Sequence, residues 1–426
     1  MLCSFVLSLA AASAQTTVIK AGRLVDVERG VVAQNQTILI DGAKVEAIGT
    51  NLAIPAGANV IDLSKMTVLP GLIDCHTHLV GRQSDLDPLV GLQRTAAQEA
   101  FSSIPNARKT LEAGFTTVRD VGTYRALVDL ALRDAIARGE VVGPRMFAAG
   151  AYVTITGGAG AMTGFAPDIT LPWDLRFGQA DGPDQVRQRV RELVSQGADV
   201  IKVLASGAVL THNSNPGASE FTPEELRAAV EEAHKFGLKV AAHAHGPQAI
   251  KNAVRAGVDS IEHGTMLDDE GIALMKEHGT YLVADIYDEE YIQGEGRRNG
   301  MPKDFLEHDA SLGQLQRDNF RKAVNAGVKV AFGTDAGVYP HGDNAKQFAF
   351  MVRYGLSPMQ AIQSATLWAA DLLGKKDAIG SIRPGKYADI VAVEGDPIAN
   401  ITTLEHVSFV MKEGKVYKGE GLSKTY

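Results

Sequence analysis

Pro70-Gly71-Leu72-Ile73-Asp74-Cys75-His76-Thr77-His78-Leu79 is the stretch that decides how the rest of this 426-residue chain is read. An apolar, strand-like run ends in two histidines one residue apart, and in an extended strand residues i and i+2 share a face. Two imidazoles on one face can grip one ion. An isolated His-x-His is more often a pair of ordinary, partly buried histidines, so the choice rests on whether the chain offers further ligands. Cys75 falls on the opposite face, where a buried structural thiol is the simpler reading.

Working outward, the length suits a barrel of roughly 250 residues or more with a smaller companion domain. A net charge of −8 and the lack of any basic cluster argue against a nucleic-acid partner. The first fourteen residues, MLCSFVLSLAAASA, carry no charge and end in Ala12-Ser13-Ala14. An apolar run before a small-x-small site reads as a secretory signal peptide, although the usual n-region Lys or Arg is missing. Export to the periplasm or medium is therefore expected, and cytoplasmic residence if the segment does not function as a signal. Elsewhere no apolar run is long enough to span a bilayer. Cys3 would leave with the signal, so Cys75 would be alone and no disulfide framework is expected.

The two ends of the chain resemble each other. Thr37 to Gly49 is two extended runs about Asp41-Gly42, and Val407 to Val416 repeats the design about Glu413-Gly414, after the strand Ala388 to Val393. Residues 15–68 and 377–426 are thus expected to form one small β-sandwich domain built from both chain ends. Residues 69–376 alternate strand and helix. Extended runs stand at Thr116–Asp120, Arg145–Val153, Val200–Ala205, Lys239–Ala244, Ser260–His263, Tyr281–Ile286 and Lys329–Gly333. Thr222-Pro223-Glu224-Glu225 and Ser357-Pro358-Met359-Gln360 open helices as capping boxes with proline at the first position, and Gly237 closes the first of them. With the run ending at His78, eight strands each followed by helical sequence predict a (β/α)8 TIM barrel, whose chemistry belongs at the C-terminal strand ends.

That geometry tests the opening motif. His76 and His78 close the first strand, His243 and His245 the fifth, His263 the sixth and Asp335 the eighth. Lys202 lies among aliphatics in the fourth, where an unpaired charge is costly. Singly, His263 reads as a capped histidine, Asp335 as a turn former and Lys202 as a snorkelling side chain. Together they favour a site.

These residues and their order resemble the binuclear-metal branch of the amidohydrolase superfamily, over nearly all the chain beyond the signal. The resemblance implies that His76, His78 and Asp335 hold one metal, that His243 and His263 hold a second, and that a carboxylated Lys202 bridges both. Burial can bring a lysine pKa to about 5–6, leaving a neutral amine able to add carbon dioxide. Two divalent ions are expected as cofactors, zinc first by donor chemistry. The implied reaction is hydrolysis of an amide by a metal-bridging hydroxide, with Asp335 as general acid and base. His245 is the other catalytic candidate, by contact with substrate or by supporting its neighbours.

The closer resemblance is to prolidase-like metallo-carboxypeptidases and dipeptidases acting on Xaa-Pro, Xaa-Arg, Xaa-Lys or N-acyl amino acids, and to amidohydrolases that cleave ochratoxin. It implies a small-molecule or dipeptide substrate, release of the C-terminal amino acid, and a homo-oligomer. Tyr287, Tyr291 and His341 follow strands seven and eight and are candidate substrate contacts, or surface decoration. The acidic run Asp288-Glu289-Glu290 could attract a basic side chain, yet such runs are usually solvated. Connections at residues 154–185, 206–221 and 287–310 are expected to be long loops. The glycine-rich stretch Gly157 to Gly164 lacks the lysine of a phosphate loop and reads as a lid, with Phe165, Trp173 and Phe177 to cover an apolar substrate part. A cyclic-amide hydrolase of dihydroorotase, hydantoinase or imidazolonepropionase type is the alternative, with a non-catalytic binding scaffold behind it.

Overall fold

The computed structural model describes residues 16–81, 88–166 and 168–419, so the expected signal peptide lies outside the described residues. In chain order the strands are β1 (Thr17–Asp26), β2 (Val31–Asp41), β3 (Lys44–Gly49), β4 (Asn59–Pro70), β5 (Leu72–Thr77), β6 (Phe115–Asp120), β7 (Arg145–Ala148), β8 (Tyr152–Val153), β9 (Val200–Leu204), β10 (Lys239–Ala244), β11 (Ser260–His263), β12 (Tyr281–Val283), β13 (Ile390–Val393), β14 (Val407–Lys412) and β15 (Lys415–Lys418).

The chain ends do meet. Their strands form one hydrogen-bonded sheet of seven, ordered β15-β14-β13-β4-β1-β2-β3, in which β4 takes β1 on one side and β13 on the other. Ile19, Ile38, Ile61, Ile390 and Phe409 from both ends share one apolar cluster. Hydrogen bonding therefore makes the expected sandwich a continuous sheet with a common core. Turns form where the sequence supplies backbone freedom: Gly42 and the pair Glu413-Gly414 all adopt positive φ. At Gly22 the β1–β4 register shifts, and a Cβ there would lie 1.9 Å from the Ser64 carbonyl oxygen, so only glycine fits.

The middle of the chain makes two all-parallel sheets, β5-β6-β7 and β12-β11-β10-β9-β8. Every residue of β5, β6, β9 and β11 is buried, as expected of parallel strands covered on both faces. The helices outside them start as read: Thr222 and Ser357 cap Pro223–Lys235 and Pro358–Ser364, each in a complete capping box. Among the described residues no helix is long and apolar enough to cross a membrane.

Two expected strands are interrupted. The run 145–153 divides into β7 and β8 because Gly150 turns to φ +82°, with its N–H held 2.7 Å from the buried Asp129 carboxylate. The halves then join different sheets. The run 329–333 forms no regular ladder. Leu282 N–H donates to the Lys329 carbonyl on one side, and Cys75 N–H donates to the Phe332 carbonyl on the other. Crowding explains the irregularity, since a Cβ on Gly333 would sit 2.3 Å from Val283 Cγ1 and 2.9 Å from His76 Cβ. The connection at 287–310 is also not a loop. It holds a short helix (Asp288–Tyr291), a π-helical turn (Ile292–Gly296) and the start of helix Lys303–Ala326. Wide turns of this kind often stand beside functional sites.

Candidate metal centre

The C-terminal ends of β5, β9, β10 and β11 and the turn after residue 333 converge on one cavity of about 350 Å³. On its floor stand all the residues singled out at strand ends: His76, His78, Lys202, His243, His245, His263 and Asp335. Asp335 Oδ1 lies 3.4 Å from His76 Nε2 and 3.2 Å from His78 Nε2. Ring centroids are 4.9 Å apart for His76 and His263 and 4.5 Å for His243 and His263. Ligand atoms of His76, His263 and Asp335 come within 4.8 Å of one another, as do those of His243, His245 and His263. His263 belongs to both groups, so the two halves are contiguous. His263 and Asp335 also hold positive φ, 69° and 52°, a backbone state that costs energy in non-glycine residues and collects at functional sites.

The far side of each ring fixes which nitrogen is free, because a carbonyl or carboxylate oxygen can only accept. His76 Nδ1 donates to Glu262 Oε2 (2.8 Å), His78 Nδ1 to the Gly122 carbonyl (2.7 Å) and His263 Nδ1 to Asp285 Oδ2 (2.8 Å). Each leaves Nε2 as a bare lone pair. His243 is reversed, its Nε2 donating to the Gly207 carbonyl at 3.1 Å, which frees Nδ1. His245 Nδ1 meets the Thr265 hydroxyl at 2.7 Å, a partner that can donate or accept.

Electrostatics separate the candidate ligands: burial lowers His78, but the Asp335 carboxylate beside it outweighs burial and raises it. Burial, reinforced by the charge of His263, holds His243 far below the usual histidine range and pushes His245 down to about 3. Burial raises the Asp335 carboxyl, but His76 and His78 outweigh it and hold it well below the usual range. The Lys202 ammonium has no hydrogen-bond partner among the described residues, and burial pushes it down to about 8 against the pull of Glu262 and Asp335. An orphaned buried nitrogen that shares one cavity with imidazoles and a carboxylate fits a divalent centre better than it fits a structural core.

The proposed substrate contacts fare differently. His341 lines the cavity, but its Nε2 donates to the His78 carbonyl (3.1 Å), so it also braces the ligand strand. Tyr287 and Tyr291 are buried with Tyr339 beside the cavity rather than in its wall. Phe177 and Trp173 pack against each other at a tilt outside its wall, Phe177 buried and Trp173 60% exposed. The wall is made instead by Ala159, Ala161 and Met162 of the glycine-rich stretch, with Tyr124, Leu210 and Phe305. That stretch is tied down: Ala159 N–H donates to both Glu220 oxygens (2.9 and 3.0 Å), and Thr211 Oγ1 donates to the Ala159 carbonyl. Of the acidic run only Asp288 faces inward, since Glu289 pairs with Arg317 and Glu290 is exposed. Tyr152, whose hydroxyl lies 3.2 Å from His78 Nδ1, was not foreseen.

Fold and site together define a class: an α/β protein in which parallel strands present histidines, a lysine and an aspartate to one cavity. The chain belongs to the amidohydrolase family, whose model matches residues 67–417. It is similar to the ochratoxinase of Aspergillus niger, 32% identical over 431 aligned residues, 96% of this chain and 88% of that one. The crystal structure of a Xaa-Pro dipeptidase with methionine bound in its active site superposes with TM-score 0.89 at 41% identity, covering 95% of this chain and 100% of that one. The imidazolonepropionase of Fusobacterium nucleatum is 24% identical, covering 91% and 92% of the two chains.

Proposed function

We propose that this protein hydrolyses the C-terminal amide bond of dipeptides or N-acyl amino acids, ochratoxin-like amides included, at a binuclear metal centre. The observation that carries the reading is the Lys202 ammonium, without a hydrogen-bond partner among the described residues, in one cavity with His76, His78, His243, His263 and Asp335. Those six residues would hold two ions, with Lys202 as a bridging carbamate, and nitrogen and oxygen donors favour zinc. Bound there, such ions supply Lewis acidity and lower the pKa of water. The chain's own groups do the rest. Asp335, kept ionised by its two histidines, accepts the proton of the attacking water and returns it to the departing amine. His245, neutral across the physiological range, can donate a hydrogen bond to the carbonyl oxygen as charge develops. Met162, Leu210 and Phe305 give the acyl part an apolar wall.

The Xaa-Pro dipeptidase and ochratoxinase relatives support this substrate class. The imidazolonepropionase relative favours the second reading, a cyclic-amide hydrolase using the same ligands. Metal analysis of purified protein, followed by a screen of dipeptides, N-acyl amino acids and cyclic imides, separates them. About two metals per chain with release of a C-terminal amino acid supports the first reading; turnover of cyclic amides alone supports the second.

The same reading takes residues 69–376 as a closed (β/α)8 barrel and residues 15–68 with 377–426 as its companion domain. The parallel bridges Thr77–Ala336 and Leu282–Val330 support closure. It also takes residues 1–14 as an export signal, which N-terminal sequencing of the mature protein tests, and the assembly as a homo-oligomer, which light scattering tests.

A further inference from the structure

Beneath the imidazoles a second charged pair is buried that plays no part in the chemistry above. Arg119 on β6 and Glu262 on β11 are 1% and 0% exposed. The guanidinium crosses from the three-stranded sheet to the five-stranded one, and each of its nitrogens makes a hydrogen bond. Its Nε donates to the Cys75 carbonyl on β5, its Nη1 to Ser260 Oγ (3.0 Å), and its Nη2 to Glu262 Oε1 (2.7 Å). Ser260 Oγ also donates to Glu262 Oε1. Both carboxylate oxygens are therefore committed, one to Arg119 and Ser260, the other to His76 Nδ1 at 2.8 Å. Glu262 points away from the cavity, whose wall does not include it.

Stability alone gives no reason for such a pair. A fully buried ion pair is matched, and often exceeded, by apolar side chains of similar volume, which would also suit the interior of parallel sheets. An apolar pair cannot accept the His76 N–H. We propose that Glu262, locked in place by Arg119, is the positioning residue of the first metal site: it holds the His76 ring so that Nε2, and only Nε2, faces the ion. Arg119 holds the carboxylate directly through Nη2 and indirectly through Ser260, and its Nε bond to Cys75 ties both to β5, so the ring is braced by three strands. The inference rests on the metal-centre reading and adds to it the group that orients one ligand, which in other metal sites changes affinity about 10–100-fold.

The test reads metal affinity directly, by chelator competition and by the visible spectrum of cobalt-loaded protein, alongside thermal unfolding. In the double variant Arg119→Met with Glu262→Leu, melting is expected to stay near that of the parent protein. Affinity for one of the two metals is expected to fall about 10–100-fold. A folded double variant with parental affinity and spectrum overturns the proposal. Two single variants decide the matter even where the double variant does not fold. Glu262→Gln keeps the length and an acceptor oxygen, whereas Glu262→Asp keeps the charge and falls one methylene short. Positioning requires that Gln retain more affinity than Asp; the reverse order would mean that buried charge matters rather than placement, and the proposal fails. Parent protein that binds no metal at all overturns the centre itself, an outcome visible before any variant is made.

Discussion

Charges are buried both at the base of the terminal sheet and at the floor of the cavity, and the two regions treat them in opposite ways. Near the sheet, Arg145 pairs with Asp389 and Glu413 at 2.6 Å each, and Lys412 Nζ donates to the Gly143 carbonyl at 2.7 Å. These groups staple β13 and β14 to the middle of the chain, and each finds an oppositely charged or polar partner within the protein. In the cavity, Lys202 Nζ and Asp288 Oδ1 are buried without a hydrogen-bond partner among the described residues, and the second nitrogens of His76 and His78 converge on Asp335. Since an unsatisfied buried polar atom costs about 1–3 kcal/mol or more, the first region is arranged for stability and the second for a ligand.

That contrast can be broken most sharply at Lys202. Lys202→Ala should reduce activity to background and cut metal content, while the melting temperature of the metal-free protein holds or rises, because in that state the substitution removes a buried amine without a hydrogen-bond partner among the described residues. A large loss of stability would show that Lys202 serves the core. Phe409→Ala in the terminal sheet should do the converse. It should destabilise by roughly 3–5 kcal/mol in denaturant unfolding, leaving kcat unchanged in the fraction that remains folded. Asp285→Ala removes the acceptor for His263 Nδ1 and should weaken metal binding about 10–100-fold by chelator competition.

The smallest effect concerns pH. Burial raises the Glu220 carboxyl from 4.5 to about 7, outweighing its bonds from Ala159 N–H. The folded chain then binds a proton that the unfolded chain has released, so this stabilisation is complete below about pH 4.5 and is lost as pH rises through about 7. Glu220→Gln should flatten that slope, visible as roughly 1–3 °C in melting temperature between acidic and mildly alkaline buffer. An unchanged slope would place the titration elsewhere.

How much of this was legible in the sequence depended on whether a residue's meaning was local. The capping boxes at Thr222 and Ser357 involve neighbours within three residues, and both form as read. The ligand residues were legible because strand ends collect chemistry, and all of them reach one cavity. Lys202 stood out as a charge among aliphatics. Glu262 within β11 and Arg119 within β6 carry the same signal, a charged residue inside a fully buried strand. Tyr287 and Tyr291 show the limit, since a helical turn points some side chains to the cavity and others behind it, and only packing against Tyr339 decides which. The break at Gly150 was equally hidden, because it depends on Asp129, which is 21 positions away.

The pairing of Ile390 with Pro70 joins residues 320 positions apart. On a ribosome adding about 5–20 residues per second, the edge of β4 waits roughly 15–60 s for the strand that covers it. During that interval a nascent chain carries an open, apolar β-edge of the kind that recruits strands from other chains. The last strands to emerge are thus a lid on an aggregation hazard made early in synthesis, and shortening the C-terminus before β13 would leave that edge bare for the life of the protein.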